Sequence, residues 1–212
     1  MHDRQSKTKV GIILAVMGLF LAGTAVVNAA DEGTVDYKFK AKGMRARNIE
    51  RAAADLIDIH VTRLSTADER HSLGATLEKE GNHALDAALA KQEEAGWIQF
   101  DPRGGGGPGR DPRRTPLRYA REVDNGDTRE FVLATDEYIG FGSRGEAANA
   151  AKLADFPLSF VLLKFTKDDK GNWKGVGRLF VGARLKYDNA ADKLVIDAFF
   201  SDPVYLRNVT IK

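Results

Sequence analysis

The sequence predicts a single α+β domain in which a helical pair packs on one face or end of an antiparallel meander sheet of about seven strands. Helical periodicity is confined to residues 67–94, whereas most of the chain after Trp97 alternates apolar and polar residues with a period of two. Apart from the loop at residues 101–116 and a short helical stretch at Glu146–Ala154, the alternating segments follow one another through turns, and they do not form a regular series of strands alternating with helices. Parallel crossover connections are therefore not expected, and the strands should pair antiparallel.

Residues 1–30 have the order of a secretory signal peptide. Met1–Lys9 is polar and basic, Val10–Val27 is uncharged and largely apolar, and the small residues Ala29 and Ala30 follow. We expect cleavage after one of these alanines and export to the periplasm or the medium. An uncleaved N-terminal anchor is the alternative, because about eighteen apolar residues are near the minimum that spans a bilayer. After cleavage, no membrane span is expected.

The composition of the remaining chain excludes several classes of function. Residues 31–212 contain 29 basic and 29 acidic residues, so their formal charge is zero. A neutral body argues against specific nucleic-acid binding, which depends on neutralising phosphates. The chain has no cysteine, and this excludes disulfides and thiolate catalysis.

The first segments after the signal differ in how clearly they alternate. Residues 31–55 are expected to form an N-terminal arm or edge strand, because the alternation of Val35, Tyr37 and Phe39 is weak. Residues 56–64 alternate fully and predict a half-buried strand. The α+β domain is therefore expected to cover residues 56–212.

The helical region begins with a capping box. Thr66 and Glu69 have the spacing at which a hydroxyl and a carboxylate satisfy free amides at a helix start. The leucine stripe changes phase near Gly81, and glycine is suited to a left-handed helix stop. The sequence therefore predicts one helix over residues 67–80 and a second over residues 83–94.

The rest of the chain is predicted to consist of strands and turns. A short strand at Trp97–Phe100 precedes a Gly/Arg-rich loop at residues 101–116. An Asn-Gly turn indicates a first hairpin, because these residues tolerate positive φ angles. The predicted strands of the two hairpins and the final segments are Leu117–Val123, Arg129–Thr135, Leu158–Thr166, Trp173–Tyr187, Lys193–Phe200 and Val204–Ile211.

Motifs for known reactions are incomplete. Gly140–Gly145 matches G-x-G-x-x-G, but the strand before it is predicted to pair in a hairpin, so neither a dinucleotide site nor a cofactor is expected. Ser143 lacks the first glycine of a nucleophile elbow. His60, His71 and His83 do not have the spacing of metal ligands, and neither a metal site nor a catalytic residue is predicted.

Arginines and aromatic residues form the candidate ligand-binding set. Arginine forks bind oxyanions, and aromatic rings supply apolar contact area beside them. The predicted ligand-binding residues are Trp97, Arg103, Arg110, Arg118 and Tyr119. We expect the site either where the helical pair meets the sheet or at the Gly/Arg-rich loop. Its partner would be a small molecule or a component of the cell envelope.

These observations favour a non-enzymatic periplasmic or cell-surface domain that binds a ligand or partner. One alternative is a small periplasmic hydrolase or isomerase that uses acids such as Asp136, Glu137 and Asp155 with an arginine. Two converging carboxyl groups, one with a displaced pKa, would favour that alternative. A second alternative is a structural or assembly subunit with an exposed edge strand.

Several stretches resemble a group of uncharacterised secreted bacterial proteins, best known from soil acidobacteria. The stretches are Leu64–Arg70, Gly96–Ile98, Arg129–Asp136 with its continuation to Phe141, Gly175–Leu179 and Asp202–Val209. The similarity extends over most of residues 60–212. The resemblance implies a secreted single domain and transfers no activity, cofactor or site residue.

Overall fold

A computed structural model of the protein describes residues 33–45, 55–101, 114–139, 155–200 and 202–212. Strands account for 59% and helices for 16% of these described residues, so the predicted α+β class is wrong and the described fold is mostly antiparallel sheet. The elements are β1 (Thr34–Arg45), β2 (Asp55–Arg63), α1 (Ala67–Glu80), α2 (Asn82–Leu89), β3 (Gly96–Asp101), β4 (Thr115–Leu117), β5 (Tyr119–Asp124), β6 (Thr128–Thr135), β7 (Leu158–Lys167), β8 (Trp173–Asp188), β9 (Lys193–Phe199) and β10 (Val204–Ile211).

The strand order is β4-β3-β2-β1-β10-β8-β7-β6-β5, with β9 paired to β8 alone. The prediction of a meander of about seven strands is therefore wrong in both number and order. The last strand does not pair with β9 but inserts between β1 and β8. The insertion supplies hydrogen-bond partners to backbone groups of β1 and the first half of β8, which a meander would leave unpaired. Turn signals in the sequence do not report such a long-range pairing.

The sheet is nearly closed and barrel-like. Its two terminal strands, β4 and β5, are separated in the chain only by Arg118, whose amide donates to the carbonyl of Ala134 at 2.9 Å. The segment after β2 joins the same seam, since the amide of Ser65 donates to the carbonyl of Ala120 at 2.8 Å. These bonds bring the two ends of the sheet together.

The segment predicted as an arm or edge strand lies inside the sheet. β1 pairs with β2 on one side and with β10 on the other. Its alternation is weak by sequence because the apolar side continues with the small residues Ala41 and Gly43, yet Phe39 and Ala41 are buried. An interior position supplies both hydrogen-bonding edges of this strand with partners.

The concave side of the sheet encloses the main core. The rings of Phe39, Phe131 and Phe165 contact one another with centroid separations of 4.9 to 5.9 Å. Gly175 leaves the space that the Phe165 ring fills, since a Cβ at this position would lie 2.5 Å from a ring carbon. Large rings opposite a glycine produce the dense interior packing of a folded domain.

The helical pair covers part of the convex side and forms a second core. Leu73, Leu77, Leu85 and Leu89 are buried there among side chains of β5 to β9. β8 contributes to both cores because it changes face at Gly182, where φ is +71°. Before this bulge its odd-numbered residues face the inside of the sheet, and after it they face the helices.

The helix predictions are largely confirmed. Thr66 and Glu69 form the reciprocal capping box, and α1 ends at Glu80 before Gly81, where φ is +85°. The second helix ends at Leu89, five residues earlier than predicted. Leu89 is its last buried apolar residue, so the polar residues that follow gain nothing from continuing the helix against the sheet.

A buried ion pair closes one end of the sheet interior. The Glu122 side chain is 2% exposed and accepts hydrogen bonds from Arg129 and, at 2.8 Å, from the Tyr37 hydroxyl. The Arg129 guanidinium also lies 5.4 Å from the ring centroid of Tyr37 and 5.9 Å from that of Trp173. β1, β5, β6 and β8 are thereby connected at this end.

Some predictions fall on residues that are not described: the signal peptide at 1–30, most of the Gly/Arg-rich loop and the motif at 140–145. Of the two described helices, neither is sufficiently long and apolar to span a membrane.

Candidate functional site

The predicted ligand-binding residues do not form one group. Arg103 and Arg110 lie outside the described residues. Trp97 lies on the convex face of β3, where the Arg114 guanidinium is 4.3 Å from its ring centroid and the His60 ring meets it edge-on at 5.5 Å. Trp97, Arg114 and His60 therefore form a small stack of side chains on the convex surface of the sheet.

Arg118 and Tyr119 lie where the helical pair meets the sheet, at the junction of β4 and β5. Tyr119 is fully buried beneath the helices, whereas Arg118 is half-buried and donates to the Gln92 carbonyl after α2 at 3.3 Å. The two residues belong to different polar clusters. The arginine cluster consists of Arg70, Tyr119, Arg121, Tyr187 and Asp192, and the Asp86 cluster consists of Asp86, Arg118 and Asp136.

Arg70 enters the arginine cluster from the first turns of α1. It lies on the same helix face as Leu73 and Leu77, so its side chain points toward the sheet and only 8% of it is exposed. Its Nη1 donates to the Ser65 carbonyl at 2.6 Å, and its Nε donates to Oδ2 of Asp192 at 3.0 Å. The capping box therefore positions a charged group over the second core.

Asp192 supplies the negative charge of the arginine cluster from the turn between β8 and β9. Its φ of +47° is a left-handed conformation that aspartate tolerates better than most residues. Burial opposes its ionisation, but hydrogen bonds from Tyr187 and Arg70 and the charges of Arg70 and Arg121 hold its pKa below the usual value. Its side chain is 40% exposed, so this carboxylate reaches the guanidiniums from the solvent side.

Arg121 and Tyr119 each have a buried polar atom that lacks a hydrogen-bond partner among the described residues. The Arg121 side chain is 8% exposed, its Nη2 is 3.6 Å from Asp192, and its Nε has no hydrogen-bond partner among the described residues. The buried Tyr119 hydroxyl also has no partner in the described part of the chain, although the Leu194 amide approaches it. Burial raises the pKa of Tyr119 to about 12, so this hydroxyl remains a neutral donor at physiological pH.

The second tyrosine of the cluster supports the helix. A Cβ at Gly74 would lie 2.9 Å from ring carbons of Tyr187, which shows how closely α1 packs on that ring. Burial and the hydrogen bond to Asp192 raise the pKa of Tyr187. Both tyrosine hydroxyls are therefore protonated hydrogen-bond donors at neutral pH.

The charges of the arginine cluster do not cancel. Two guanidiniums share one carboxylate, so the cluster carries one net positive charge. Beside it, Lys193 and Lys164 share the Glu130 carboxylate at 3.4 and 3.2 Å, which adds a second net positive charge. Buried guanidinium and phenol donors around an excess positive charge can bind an oxyanion.

The Asp86 cluster is acidic and lies beside α2. Nε of Arg118 is 3.5 Å from Oδ1 of Asp136, which is an ion contact without hydrogen-bond geometry. Burial and then the charge of Asp136 raise the pKa of Asp86, against a smaller effect of His83. Oδ1 of each aspartate has no hydrogen-bond partner within the described ranges. The two carboxyl groups therefore share a partly buried environment with one arginine.

The other predicted chemical groups are dispersed. Glu137 and Asp155 are exposed, and they do not join Asp136 and Arg118 in any described contact. His60 Nε2 donates to Oδ1 of Asp36 at 2.6 Å at the surface. The described residues contain no group of three or more histidines and acids arranged to hold a metal ion.

The most deeply buried charged residues of the site were missed by sequence reasoning. Arg70 had a usable signal, because a charged residue on a leucine stripe is unusual unless it has a buried partner. Arg121 had a similar one, since it lies two residues after Tyr119 on the same face of β5. Asp192 had none, because it lies 122 residues from Arg70 in a turn that resembles any other.

Comparison with known proteins adds no family: no family model, curated protein or solved structure matches the chain. The resemblance to secreted bacterial proteins therefore stays a prediction.

Proposed function

We propose that this protein is an exported, non-enzymatic binding domain whose arginine cluster takes a small molecule through a carboxylate or phosphate group. One observation carries the proposal: the buried guanidiniums of Arg70 and Arg121 share the single carboxylate of Asp192. Export rests on the predicted signal at residues 1–30. The proposed site is at the junction of the helical pair and the sheet, one of the two locations considered from the sequence.

The burial of Arg121 has a cost in free energy. An arginine removed from water without a full set of acceptors costs several kcal/mol, about 3 or more. A neutral residue at this position would avoid that cost, because no hydrogen bond within the described residues depends on its Nε. Unfavourable groups of this kind are concentrated at functional sites, where a ligand supplies the missing partner.

The ligand chemistry follows from the donors. Guanidinium forks match the planar oxygens of a carboxylate or the tetrahedral oxygens of a phosphate. The Tyr119 hydroxyl is a neutral donor because its pKa is raised, whereas the Tyr187 hydroxyl already donates to Asp192 and would reach a ligand only where the ligand displaces that carboxylate. Asp192 approaches from solvent, so an incoming oxyanion would reach the guanidiniums by the same side and compete with this carboxylate.

The proposal is tested by titrating inorganic phosphate and acetate into the protein by calorimetry. We expect saturable binding, with an affinity at least about tenfold lower in Arg121→Gln, the effect of losing one charge-assisted hydrogen bond. Arg121→Gln should unfold at the same denaturant concentration as the wild type or a higher one, because it removes a poorly paired buried charge. Asp192→Asn should bind phosphate more tightly.

Arg184→Gln is the matched control, since Arg184 is 47% exposed and pairs with Asp197 at the surface. The control should bind phosphate like the wild type. The proposal is wrong if neither anion binds, or if both arginine variants lose affinity equally. A marked loss of stability in Arg121→Gln would show instead that Arg121 has a structural role.

A second candidate function is the hydrolase or isomerase, which the Asp86 cluster favours. Two carboxyl groups lie together with Arg118, and burial and the charge of Asp136 raise the pKa of Asp86, which is the arrangement of carboxyl groups used in acid–base catalysis. The test is hydrolysis of 4-nitrophenyl acetate and 4-nitrophenyl phosphate. Turnover that is lost in Asp86→Asn and kept in Arg121→Gln would support the enzyme, and turnover unaffected by Asp86→Asn would exclude it.

A further inference from the structure

Outside the arginine cluster, the convex face of β1, β10 and the first half of β8 carries an excess of cations. The face has six cationic side chains, all exposed: Lys38, Lys40, Lys42, Lys174, Arg178 and Arg207. Three acids neutralise part of it, because Asp36, Asp58 and Asp168 pair with Lys38, Lys40 and Lys174 at 2.8 to 3.5 Å. We call these residues the cationic face.

Three of the cations have no such partner among the described residues. Among the carboxylate side chains that the structure describes, none lies within 4.0 Å of Lys42, Arg178 or Arg207. Lys42 and Arg207 are direct neighbours in the register of β1 and β10. The strand pairing therefore places like charges side by side, an arrangement that is unfavourable unless an anion lies over them.

The charge of the face is matched by an opposite charge elsewhere. The helical segment at residues 66–96 contains seven acids and three bases, although the chain after residue 30 is neutral as a whole. Folding therefore separates an acidic helical side from a basic strand side. This separation gives a neutral chain a local field that can attract an extended anion.

The spacing on the face favours a linear partner. Lys38, Lys40 and Lys42 alternate along β1, which puts their stems about 7 Å apart. The exposed ring of Tyr205 lies next to this row, with the Arg178 guanidinium 5.7 Å from its centroid. An aromatic ring among cations offers both an apolar platform and charge to a sugar unit that carries a carboxylate.

From this arrangement we infer that the cationic face binds an acidic polysaccharide. The inference is independent of the arginine cluster, with which the face shares no residue. A lipid surface fits less well, because the large apolar residues exposed near the face are few, chiefly Val176 and Tyr205.

The test measures binding to polygalacturonate by calorimetry at low salt. The triple variant Lys42→Gln, Arg178→Gln and Arg207→Gln should bind at least tenfold more weakly. Its thermal unfolding temperature should be unchanged or slightly higher, because all three side chains are exposed and the substitutions remove the repulsion between Lys42 and Arg207. The matched control carries Lys79→Gln, Lys91→Gln and Lys186→Gln, which are exposed residues outside the face. It lowers the net charge equally and should bind like the wild type.

Single-stranded DNA and phosphatidylglycerol vesicles are the competing probes. Polygalacturonate binding that is lost only in the face variant supports the inference. Equal loss in the control would show binding by net charge alone and would overturn it. Tighter binding to DNA or to vesicles than to the polysaccharide would also overturn it. Phosphate binding at the arginine cluster should be unchanged in the triple variant, so failure of either proposal can be recognised separately.

Discussion

At position 96 the main chain leaves no room for a side chain. Gly96 has a φ of +147°, and a Cβ there would lie 1.9 Å from the carbonyl oxygen of His60 on the neighbouring strand. We expect Gly96→Ala to lower the free energy of unfolding by about 3 kcal/mol or more, because both the conformation and the contact are unfavourable. Urea denaturation measures this loss.

Gly171→Ala is the control for that substitution. Gly171 also has a positive φ, +79°, but a Cβ there would meet no atom within 4 Å. Its loss should be about 1 kcal/mol, the cost of the left-handed conformation alone. Equal losses in the two variants would show that the contact with His60 is unimportant.

The raised pKa of Asp86 predicts how the free energy of unfolding depends on pH. Its raised pKa means that the folded state binds this proton more tightly than the unfolded state. The contribution of Asp86 to stability is therefore present at pH below its unfolded pKa and is lost as pH rises through its folded pKa. Asp86→Asn should remove this decline and stabilise the protein at pH 7 by less than about 1 kcal/mol, since the group is partly screened by solvent.

Urea denaturation from pH 4 to pH 8 measures the free energy of unfolding of the wild type and of Asp86→Asn. Asp202→Asn, at an exposed position, is the control. The stability difference between Asp86→Asn and the wild type should grow with pH, and the control should show no such trend. A constant difference would contradict the raised pKa.

Among the elements, α1 depends on its first turn. Thr66 Oγ1 accepts from the Glu69 amide at 3.2 Å, and the Glu69 carboxylate accepts from the Thr66 amide and from Arg63, each at 2.8 Å. Thr66→Ala should lower the free energy of unfolding by about 1 kcal/mol, the usual effect of removing an N-cap. Thermal unfolding checks this value.

Thr76 lies on the exposed side of the same helix, where its hydroxyl donates to the Ser72 carbonyl at 3.0 Å. Thr76→Ala should change stability by less than about 0.5 kcal/mol. If it destabilises the protein as much as Thr66→Ala does, the effect belongs to helix propensity in general and not to the cap.

The elements that the sequence predicted well are those with local signals. The capping box and both hairpins join residues close in the chain, and the backbone chemistry that forms them is contained in a few residues. β1 and β10 were misjudged because their partners are distant. The bulge at Gly182 was missed because a two-residue alternation looks the same on either side of it.

For the whole molecule, the ion pair at one end of the sheet tests how the strands are held together. Glu122→Gln would remove the buried carboxylate of the half-buried Arg129 and leave it only the more exposed Asp124 at 3.5 Å, and we expect a loss of about 3 kcal/mol. The double variant with Arg129→Met should recover much of this loss, because it no longer buries an uncompensated charge. Denaturant unfolding of the single and double variants forms the required cycle.

Glu93→Gln is the control, since Glu93 is 80% exposed and lies 3.7 Å from Arg63. Its effect should be below about 0.5 kcal/mol. If the double variant is as unstable as Glu122→Gln, packing at this end of the sheet depends on the charged pair itself.

The residues of the candidate site also differ in how far the sequence could predict them. Arg118 and Tyr119 were predicted to contribute to a site near the Gly/Arg-rich loop, and the structure places them where the helical pair meets the sheet, in two different clusters. Arg70, Arg121 and Asp192 come from a helix, a strand and a turn, and only their packing makes one carboxylate serve two guanidiniums. Trp97 was predicted on composition and lies in a separate surface stack.

The sequence by itself determined the hairpins, the start of the helical pair and the predicted export signal, because each depends on neighbouring residues. Tertiary structure alone decided the near-closure of the sheet, the burial of the two arginines and the separation of acidic and basic sides. These features depend on contacts between distant segments, whose free energies arise only when backbone edges and side chains from several strands meet. The neutral composition of the chain after residue 30 therefore concealed both charged surfaces.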